Sequence, residues 1–379
     1  MRIAVVSNTC WYLFNFRLNL MLALQASGHT VIAVAPNDAY AQRIRDAGIA
    51  FEAVPISGGS TQPLRELQSV QRLGAVFRRQ QVGLVLSYTP KGNLYSALAC
   101  IALRIVFVPN VSGLGRAFIR KSLVTQVAKA LYRLTFSRAH RVFFQNLDDM
   151  AVFVTSGLVQ KAKAERLPGS GVDLTRFVPM PLVAKPTDQT VFLLVARMLW
   201  DKGVGEYVQA ARTVRAVHPG ARFQLLGFLD VANPSAVPRA DIEVWVAEGV
   251  VDYLGPTDDV RPCLEQADCV VLPSYREGVP RTLLEAAAMA RPIITTDAPG
   301  CRDTVIDSKT GFLCRAADAS DLAEKILRFI AMTPDARLAM GQNGRTFVEK
   351  NFDERLVIQS YLKLANELQA PNNVQLAAD

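Results

Sequence analysis

The sequence predicts an α/β protein made of two doubly wound domains, each built on a parallel sheet. Short apolar runs of strand length alternate with helical patterns from end to end, which is typical of βαβ units. A chain of 379 residues is also too long for one ordinary hydrophobic core. We therefore expect one domain over residues 1–178, a second over 187–352, and a C-terminal helix with a tail over 353–379.

In the first half, six apolar runs predict strands, and longer patterns between them predict helices. The strand runs cover residues 3–7, 31–35, 51–54, 84–87, 105–108 and 142–144. The helical patterns cover residues 15–26, 64–79 and 116–136. This alternation predicts a parallel sheet with crossover helices.

The second half repeats the pattern. Predicted strands cover residues 191–196, 223–227, 270–272 and 293–295, and a predicted helix covers 204–217. Residues 179–186 are rich in proline and poorly periodic, which indicates a linker between the domains. A last helical pattern over 353–368 has no strand after it, and the polar residues from 370 onwards predict a frayed end.

The most informative segment carries two glutamates that bracket a Gly-Val-Pro turn, between an apolar run and a strong helix former. This order predicts strand, loop and helix, with Glu277 in the loop and Glu285 about one turn into the helix. The carboxyl end of a strand in a parallel sheet is where ligands bind. Glu277 is then expected to reach sugar hydroxyls, and Glu285 the hydroxyls of a ribose.

The start of the same helix predicts a phosphate site. The backbone N–H groups of Thr282 and Leu283, which follow Gly278 in the turn, are expected to point out of the helix towards phosphate oxygens. Together with the two glutamates, this layout suits a sugar nucleotide.

Two cations follow the apolar run over residues 191–196. Arg197 lies where the predicted strand ends, and Lys202 lies five positions later, just before a helix. Arginine can bind a diphosphate by paired hydrogen bonds and lysine by its point charge. Taken alone, these residues are equally compatible with an exposed loop whose charges are solvated. Beside the loop that carries the two glutamates, a shared site is the better interpretation.

These motifs resemble the retaining glycosyltransferases of glycosyltransferase family 4. The resemblance rests on Arg-x4-Lys followed by Glu-x7-Glu and on further segments spread over most of the chain. Those segments are residues 5–8 with 12–17, 110–115, 171–173 before Phe177, 195–204 and 299–301. Within the family, the chain looks most like the branch that adds a second or later sugar to polyprenyl-diphosphate-linked glycans, such as the N-acetylgalactosaminyltransferases of bacterial N-glycan assembly.

The resemblance implies the GT-B fold, in which two Rossmann-like domains face each other across a cleft and the final helix crosses back onto the first domain. It also implies metal-independent transfer of a sugar from a UDP-linked donor, with retention of configuration, to a polyprenyl-diphosphate glycan. Candidate residues on the acceptor or sugar side of the first domain are Asn15, Arg17, Lys91, Asn93, Ser112 and Gly113. Several family members carry a histidine in the loop that corresponds to residues 110–113, and this chain has none there.

The composition disfavours other chemistries. The six cysteines have no metal-ligand spacing, the three histidines lie apart, and no Asp-x-Asp triplet occurs. We therefore expect neither a metal nor a cofactor besides the nucleotide-sugar donor. No Gly-x-Gly-x-x-Gly follows the first strand, which disfavours NAD binding. No segment resembles a secretion signal or a bilayer span, so we expect a cytoplasmic or peripheral protein with reduced thiols.

Positive charge is concentrated in the first domain. The formal net charge is +8, and residues 67–147 contain no aspartate or glutamate. The cations in this stretch are Arg72, Arg78, Arg79, Lys91, Arg104, Arg116, Arg120, Lys121, Lys129, Arg133, Arg138 and Arg141. On the helix predicted over 116–136, cations and aromatic side chains are expected on an outward face, which suits an anionic membrane surface on the cytoplasmic side.

On that helix, Lys121, Lys129 and Arg133, with Phe118, Tyr132 and Phe136, are expected to point outward. Leu123, Val124, Val127, Ala130, Leu131 and Leu134 are expected to face the core. A solvated basic face is the plainer alternative. Nucleic acid is disfavoured as a partner, because no nucleic-acid-binding motif accompanies the patch.

Other functions stay open at this point. A sugar-nucleotide epimerase would share this architecture and would act without an acceptor. A catalytically dead sugar-nucleotide-binding or membrane scaffold protein would have no need for all four of Arg197, Lys202, Glu277 and Glu285. The sequence leaves the donor sugar, the base, the acceptor and the linkage open.

Overall fold

The structure is a computed structural model that describes residues 1–56, 62–114, 123–180 and 189–369. The described chain divides into two compact units. The first unit contains Met1–Ser170 and takes up the chain again from Arg355, and the second unit is Gly171–Glu354.

The first unit is built on a seven-stranded parallel sheet with the order β3-β2-β1-β4-β5-β6-β7. Its strands are β1 (Arg2–Val6), β2 (Thr30–Ala35), β3 (Ala50–Ala53), β4 (Leu84–Tyr88), β5 (Val106–Val111), β6 (Val142–Phe144) and β7 (Ala164–Arg166). Its helices are α1 (Cys10–Ala26), α2 (Ala41–Asp46), α3 (Pro63–Arg79), α4 (Pro90–Leu103), α5 (Leu123–Phe136), α6 (Leu147–Thr155) and, at the end of the chain, α13 (Glu354–Gln369).

Successive residues of β1 point to opposite faces of this sheet, as the strand geometry requires. Ala4 and Val6 pack into the core on one face. Ile3 and Val5 pack into the core on the other face, which also contains buried residues of α1 and α13. Both faces are covered, which explains why the strand sequences are apolar without polar alternation.

The second unit is built on a six-stranded parallel sheet with the order β10-β9-β8-β11-β12-β13. Its strands are β8 (Thr190–Val195), β9 (Ala221–Leu226), β10 (Asp252–Gly255), β11 (Cys269–Leu272), β12 (Ile293–Thr296) and β13 (Gly311–Cys314). Its helices are α7 (Val204–Val217), α8 (Arg239–Ala247), α9 (Arg261–Gln266), α10 (Arg281–Ala288), α11 (Ala319–Ile330) and α12 (Pro334–Asn351). The predicted fold class, two doubly wound parallel domains, is confirmed.

The border between the units differs from the predicted one. We expected the first domain to extend to residue 178 and the second to end at 352, whereas the first unit ends at Ser170 and the second at Glu354. Two backbone hydrogen bonds account for the difference: the Val172 amide donates to the Phe352 carbonyl at 2.9 Å, and the Glu354 amide donates to the Val172 carbonyl at 3.1 Å. Residues 171–178 therefore belong to the second unit and not to the first. Most of the predicted linker, residues 181–186, lies outside the described residues.

The predicted orientation of α5 is wrong for its aromatic residues and for Val127 and Leu134, whereas Leu131 packs against the core and Arg133 is exposed, as expected. Tyr132 and Phe136, which we expected to point outward with the cations, are buried and pack edge to face against each other at 4.8 Å between ring centroids. Val127 and Leu134, which we expected in the core, are 61% and 48% exposed. The aromatic side chains occupy the inner face of the helix because their burial removes more apolar area from water than the burial of valine or leucine.

Residues 115–122, which include Arg116, Phe118, Arg120 and Lys121 of the predicted outward face, lie outside the described part of the chain. Within the described residues, every helix is either too short or too polar to cross a bilayer.

Candidate active site at the carboxyl ends of the second sheet

The second sheet has a topological switch point between β8 and β11. From β8 the chain continues to β9 and β10 on one side, and β11, β12 and β13 occupy the other side. In doubly wound folds, ligands bind outside the carboxyl ends of the strands at such a point. The loops that follow β8, β11 and β12 carry most of the residues described below.

Arg197 lies directly beyond the last pairs of the β8–β9 ladder. The Ala196 amide donates to the Leu226 carbonyl at 3.0 Å, and the Met198 amide donates to the Phe228 carbonyl at the same distance. The backbone on both sides of Arg197 is therefore fixed. The Arg197 side chain is exposed, and among the described residues its guanidinium has no hydrogen bond or ion pair. Its backbone is fixed, and its charge is available to bind an anion.

Lys202 is brought to the neighbouring loop by a tight turn. A 3₁₀ turn, Trp200–Lys202, ends at Gly203, which has a φ of +72°. A Cβ atom on Gly203 would lie 2.2 Å from the Pro273 carbonyl oxygen, so only glycine allows the two loops to approach this closely. The Lys202 Nζ atom contacts the Glu277 Oε1 atom, and their side chains are 20% and 14% exposed.

Glu277 is held from several directions. The Ser274 hydroxyl donates to Glu277 Oε1 at 2.7 Å, beside the Lys202 contact. The Glu277 amide donates to the Pro299 carbonyl at 3.0 Å, which ties this loop to the loop after β12. Ser274 has no counterpart among the predicted site residues. The contact could have been inferred from the sequence, because Ser274 lies three residues before Glu277 and a loop can bring such neighbours together.

Glu285 lies in α10, as predicted, and pairs with a residue that we did not predict. The Arg281 Nε atom lies 2.9 Å from Glu285 Oε1, and the Glu285 residue is 8% exposed. Burial raises the pKa of the Glu285 carboxyl, the Arg281 and Arg176 guanidinium groups oppose that rise, and Asp259 adds to it. The spacing of opposite charges at i and i+4 could have revealed the Arg281 contact.

The expected phosphate site at the start of α10 needs a correction at Leu283, whereas the role of the Thr282 amide stays a prediction. The Leu283 amide donates to the Pro280 carbonyl at 3.1 Å and therefore already has an internal partner. Pro280 caps the helix with a ψ of 110°, which directs its carbonyl towards the first turn. Thr282 is half-buried, and Gly278 is buried, with its carbonyl oxygen 2.3 Å from where a Cβ atom on Gly300 would lie.

Two of the candidates in the first unit lie in α1. Arg17 is buried, its guanidinium lies 4.2 Å from the centroid of the Tyr88 ring, and it donates to the Tyr12 hydroxyl at 3.1 Å. The Asn15 side chain donates to the Trp11 carbonyl at 2.9 Å. The contacts of Arg17 hold α1 on β4, and a role in acceptor binding stays a prediction for both residues.

Lys91 and Asn93 lie in the first turn of α4, because Pro90 begins the helix. Lys91 Nζ lies 2.9 Å from Glu66 Oε1, and the buried Asn93 amide group donates to the Asn110 carbonyl at 2.8 Å. Thr89, just before the helix, has φ 67° and ψ 151°, a conformation that costs a residue with a side chain about 1–3 kcal/mol.

Ser112 and Gly113 follow β5 and are half-buried. Gly115, which completes the glycine motif of that loop, lies outside the described residues.

A surface cavity of about 380 Å³ lies elsewhere in the second unit. It is lined by Gln189, Arg215, Pro219, Gly220, Arg222, Gly249 and Asp252. These residues surround the amino ends of β8, β9 and β10, the edge of the sheet opposite to Arg197 and Lys202, and include none of the predicted site residues.

Comparisons with known proteins agree with this architecture. Residues 189–332 match the family model for glycosyl transferases group 1, and residues 16–170 match the model for a glycosyl transferase 4-like domain. The chain is 30% identical, over 96% of its length and 98% of the relative, to N,N'-diacetylbacillosaminyl-diphospho-undecaprenol alpha-1,3-N-acetylgalactosaminyltransferase of Campylobacter jejuni. It is 23% identical to the capsular polysaccharide biosynthesis glycosyltransferase CapM of Staphylococcus aureus, over 79% of this chain and 81% of CapM.

Among solved structures, Anabaena Alr3699/HepE in complex with UDP-glucose superimposes with a TM-score of 0.79 and 17% identity, over 97% of this chain and all of that one. This likeness shows the fold. The identity to the Campylobacter enzyme over nearly the full length of both chains shows the family. The chain is therefore a glycosyltransferase, and it belongs to the family 4 enzymes with the GT-B fold.

Proposed function

We propose that this protein transfers a hexose or N-acetylhexosamine, with N-acetylgalactosamine as the first candidate, from a UDP-sugar to a polyprenyl-diphosphate-linked saccharide. The observation that carries the proposal is the contact between Lys202 and Glu277 at the switch point of the second sheet, where Arg197 also follows the carboxyl end of β8. The name of the Campylobacter relative, whose acceptor is a saccharide on diphospho-undecaprenol, supports the choice of acceptor.

The two cations have the chemistry needed to stabilise the leaving group. As the bond to the anomeric carbon breaks, negative charge grows on the nucleoside diphosphate, and fixed donors aimed at that charge lower the barrier. Arg197 is free to bind a diphosphate with its planar fork. Lys202 supplies a point charge whose position is set by the turn that ends at Gly203.

Glu277 has the chemistry needed on the sugar side. Its Oε1 atom is engaged by Lys202 and Ser274. We propose that the carboxylate holds hydroxyls of the sugar and offsets the positive charge that grows on the anomeric carbon. Retention of configuration then follows the family pattern, with the acceptor hydroxyl attacking from the face that the diphosphate leaves and a diphosphate oxygen taking its proton.

Glu285 is proposed to anchor the ribose. Its carboxylate is buried in α10 and oriented through Oε1 by Arg281. A carboxylate fixed in this way can accept hydrogen bonds from two neighbouring ribose hydroxyls, as the fold family suggests for an acidic residue near a nucleotide.

We also propose that the first unit binds the anionic surface of a membrane, on the cytoplasmic face of the inner membrane, where a polyprenyl-linked acceptor resides. The support comes from α5, whose outer face carries exposed Val127 and Leu134 together with Arg133, in a stretch of chain without acidic residues. Each cation near an anionic leaflet contributes about 1 kcal/mol, and the apolar side chains add burial at the interface.

Vesicle co-sedimentation tests the membrane proposal. Binding to anionic vesicles is expected to weaken when Val127 and Leu134 are both replaced by glutamate, and binding to neutral vesicles is expected to be weak throughout. Val217→Glu is the matched control, because Val217 is 62% exposed but belongs to the second unit. Equal loss in the control and in the double variant would count against a specific surface on α5.

A panel of radiolabelled sugar nucleotides, incubated with lipid extracts, tests the reaction. We expect one UDP-sugar to yield a labelled lipid-linked product. A parallel NMR incubation of the same donor without acceptor distinguishes the epimerase alternative, because an epimerase converts the sugar nucleotide without an acceptor. Conversion in that incubation, or no lipid-linked product from any donor, would refute the proposed reaction.

A further inference from the structure

The Glu277 carboxylate receives two donors of different kinds on the same oxygen atom. One is the charged Lys202 Nζ atom, and the other is the neutral Ser274 hydroxyl, at 2.7 Å. Ser274 is completely buried, whereas the Lys202 side chain is 20% exposed. The hydroxyl is therefore the donor that solvent cannot readily replace.

The position of Ser274 is fixed by the next strand of the sheet. The Thr296 hydroxyl donates to the Ser274 carbonyl, and the Thr295 hydroxyl donates to the Leu272 carbonyl at 2.7 Å. All three of Ser274, Thr295 and Thr296 are fully buried. Two hydroxyls of β12 thus hold the backbone that follows β11, and with it the direction of the Ser274 side chain.

We propose that Ser274 is a positioning residue for sugar transfer, which keeps the Glu277 carboxylate oriented while Lys202 engages the diphosphate of the donor. This inference rests on the proposed roles of Lys202 and Glu277. In the structure, Lys202 contacts the carboxylate, yet the reaction also needs its charge near the leaving group. An ammonium that turns towards a diphosphate loosens its hold on Glu277, and the buried Ser274 hydroxyl then remains as a donor to the same carboxylate oxygen. The buried Ser274 hydroxyl is neutral, so the diphosphate does not draw it away from Glu277.

The expected effect is specific to steps that involve the sugar. The loss of a hydrogen bond to a charged group changes a rate or equilibrium constant by about tenfold to a hundredfold. Ser274→Ala should therefore lower kcat with the UDP-sugar by about that factor. The affinity for UDP alone should stay near the wild-type value, because UDP has no sugar for Glu277 to hold.

A double-mutant cycle between Ser274 and Glu277 is the decisive experiment. Turnover and KM are measured for Ser274→Ala, Glu277→Gln and the double variant, and UDP affinity is measured by calorimetry. We expect Ser274→Ala to have little further effect once Glu277 is glutamine. Ser274→Thr, which keeps a hydroxyl, should recover most of the turnover, and Ser274→Cys, which has only a weak donor, should not.

Ser69→Ala provides the matched control. Ser69 is also buried, and its hydroxyl donates to a backbone carbonyl, that of Pro55, at 2.7 Å, but it lies in the first unit. This variant should turn over at the wild-type rate. Thermal unfolding of every variant shows whether a lower rate comes from a misplaced Glu277 carboxylate or from an unfolded protein. If Ser274→Ala does not fold, Ser274→Thr still tests the role of the hydroxyl.

The outcomes distinguish this inference from the proposed function. Wild-type turnover in Glu277→Gln would remove Glu277 from the mechanism and the function proposed for this site with it. A low rate in Glu277→Gln, together with a Ser274→Ala loss that is equally large in both backgrounds, would overturn only the positioning role. A folded Ser274→Ala enzyme with an unchanged kcat would overturn it as well.

Discussion

Replacing Arg197 by alanine is the sharpest test of the site, because the structure separates its chemical role from any structural one. The Arg197 side chain is exposed, and its guanidinium has no partner among the described residues. The substitution therefore breaks no internal contact. We expect the free energy of unfolding to stay within about 0.5 kcal/mol of the wild-type value, as for other surface changes.

The expected loss of turnover is large by comparison. If Arg197 stabilises the leaving diphosphate, its removal is equivalent to the loss of one fixed donor to developing negative charge. Such losses lower kcat by about a hundredfold to a thousandfold, or about 3–4 kcal/mol. Arg197→Lys keeps the charge but lacks the planar fork of the guanidinium, so kcat should fall less than in Arg197→Ala, by roughly tenfold.

Initial rates with the preferred UDP-sugar and a lipid-linked acceptor provide the measurement. Arg222→Ala is the matched control, since Arg222 is an exposed arginine at the start of β9, at the opposite edge of the same sheet. It pairs with Asp252 across the surface, a contact that contributes little. If purified Arg197→Ala reacts as fast as the control with saturating donor, the assignment of Arg197 to the leaving group is wrong.

Three further outcomes follow from the same geometry. Glu285→Gln should weaken UDP binding by roughly tenfold in calorimetry, since ribose hydroxyls lose a charged acceptor, and unchanged affinity would refute that role. Arg281→Ala removes one of the two cations that oppose the raised pKa of Glu285, so UDP affinity, measured against pH, should fall at a higher pH than in the wild type as the carboxyl takes up its proton. Gly203→Ala should lower Tm far more than Gly249→Ala, because both glycines have positive φ but only a Cβ at 203 meets a neighbouring carbonyl, that of Pro273, at 2.2 Å.

The contribution of Glu285 to the stability of the protein should show the opposite pH dependence to UDP binding. The pKa of Glu285 is raised in the folded state, so its protonated form is favoured there. Its contribution to stability is therefore present at low pH and is lost as the pH rises through the folded-state pKa. If Glu285 anchors the ribose as proposed, UDP binding needs the ionised form and weakens as the pH falls through the same pKa.

Strands buried on both faces were the easiest part of the fold to predict. The run over 191–196 reads as a strand because its residues alternate between two cores, Phe192 and Leu194 in one and Leu193 and Val195 in the other. The edge strands β7, β10 and β13 were missed. β7 and β10 have half-buried or exposed residues, such as Glu165 and Leu254, and a sequence with little apolar content gives no periodic signal.

The orientation of α5 was missed for a different reason. Both of its faces carry apolar residues, so the pattern alone permits two rotations of the helix. The structure selects the one that packs Tyr132 and Phe136 against Phe153, at 5.2 and 5.8 Å between ring centroids. Phe153 belongs to α6, and a contact between residues so distant in the sequence cannot be inferred from the periodicity of one helix.

The sequence predicts that the site residues lie at the ends of strands, but it does not predict which of these residues contact each other. Arg197, Lys202 and Glu277 each follow an apolar run, and parallel strands bring their carboxyl ends to one edge. Which cation meets which carboxylate depends on the strand order, because β8 lies beside β11 although 75 residues separate Lys202 from Glu277. Strand order is set by the crossover connections of the whole unit and cannot be inferred from the sequence of either loop.

The same reasoning explains why one cation of the site is paired and the other is free. The turn that ends at Gly203 carries Lys202 across to the loop after β11, where its charge is partly balanced by Glu277. Arg197 stays on the β9 side of β8, where its backbone neighbours pair with Leu226 at the end of β9 and with Phe228 just after it. A diphosphate would therefore meet one cation that is fully available and one that must be shared with a carboxylate. Under the proposed mechanism, this asymmetry implies that Arg197 contributes more to nucleotide binding, and that Lys202 couples the leaving group to Glu277, the residue proposed to hold the sugar.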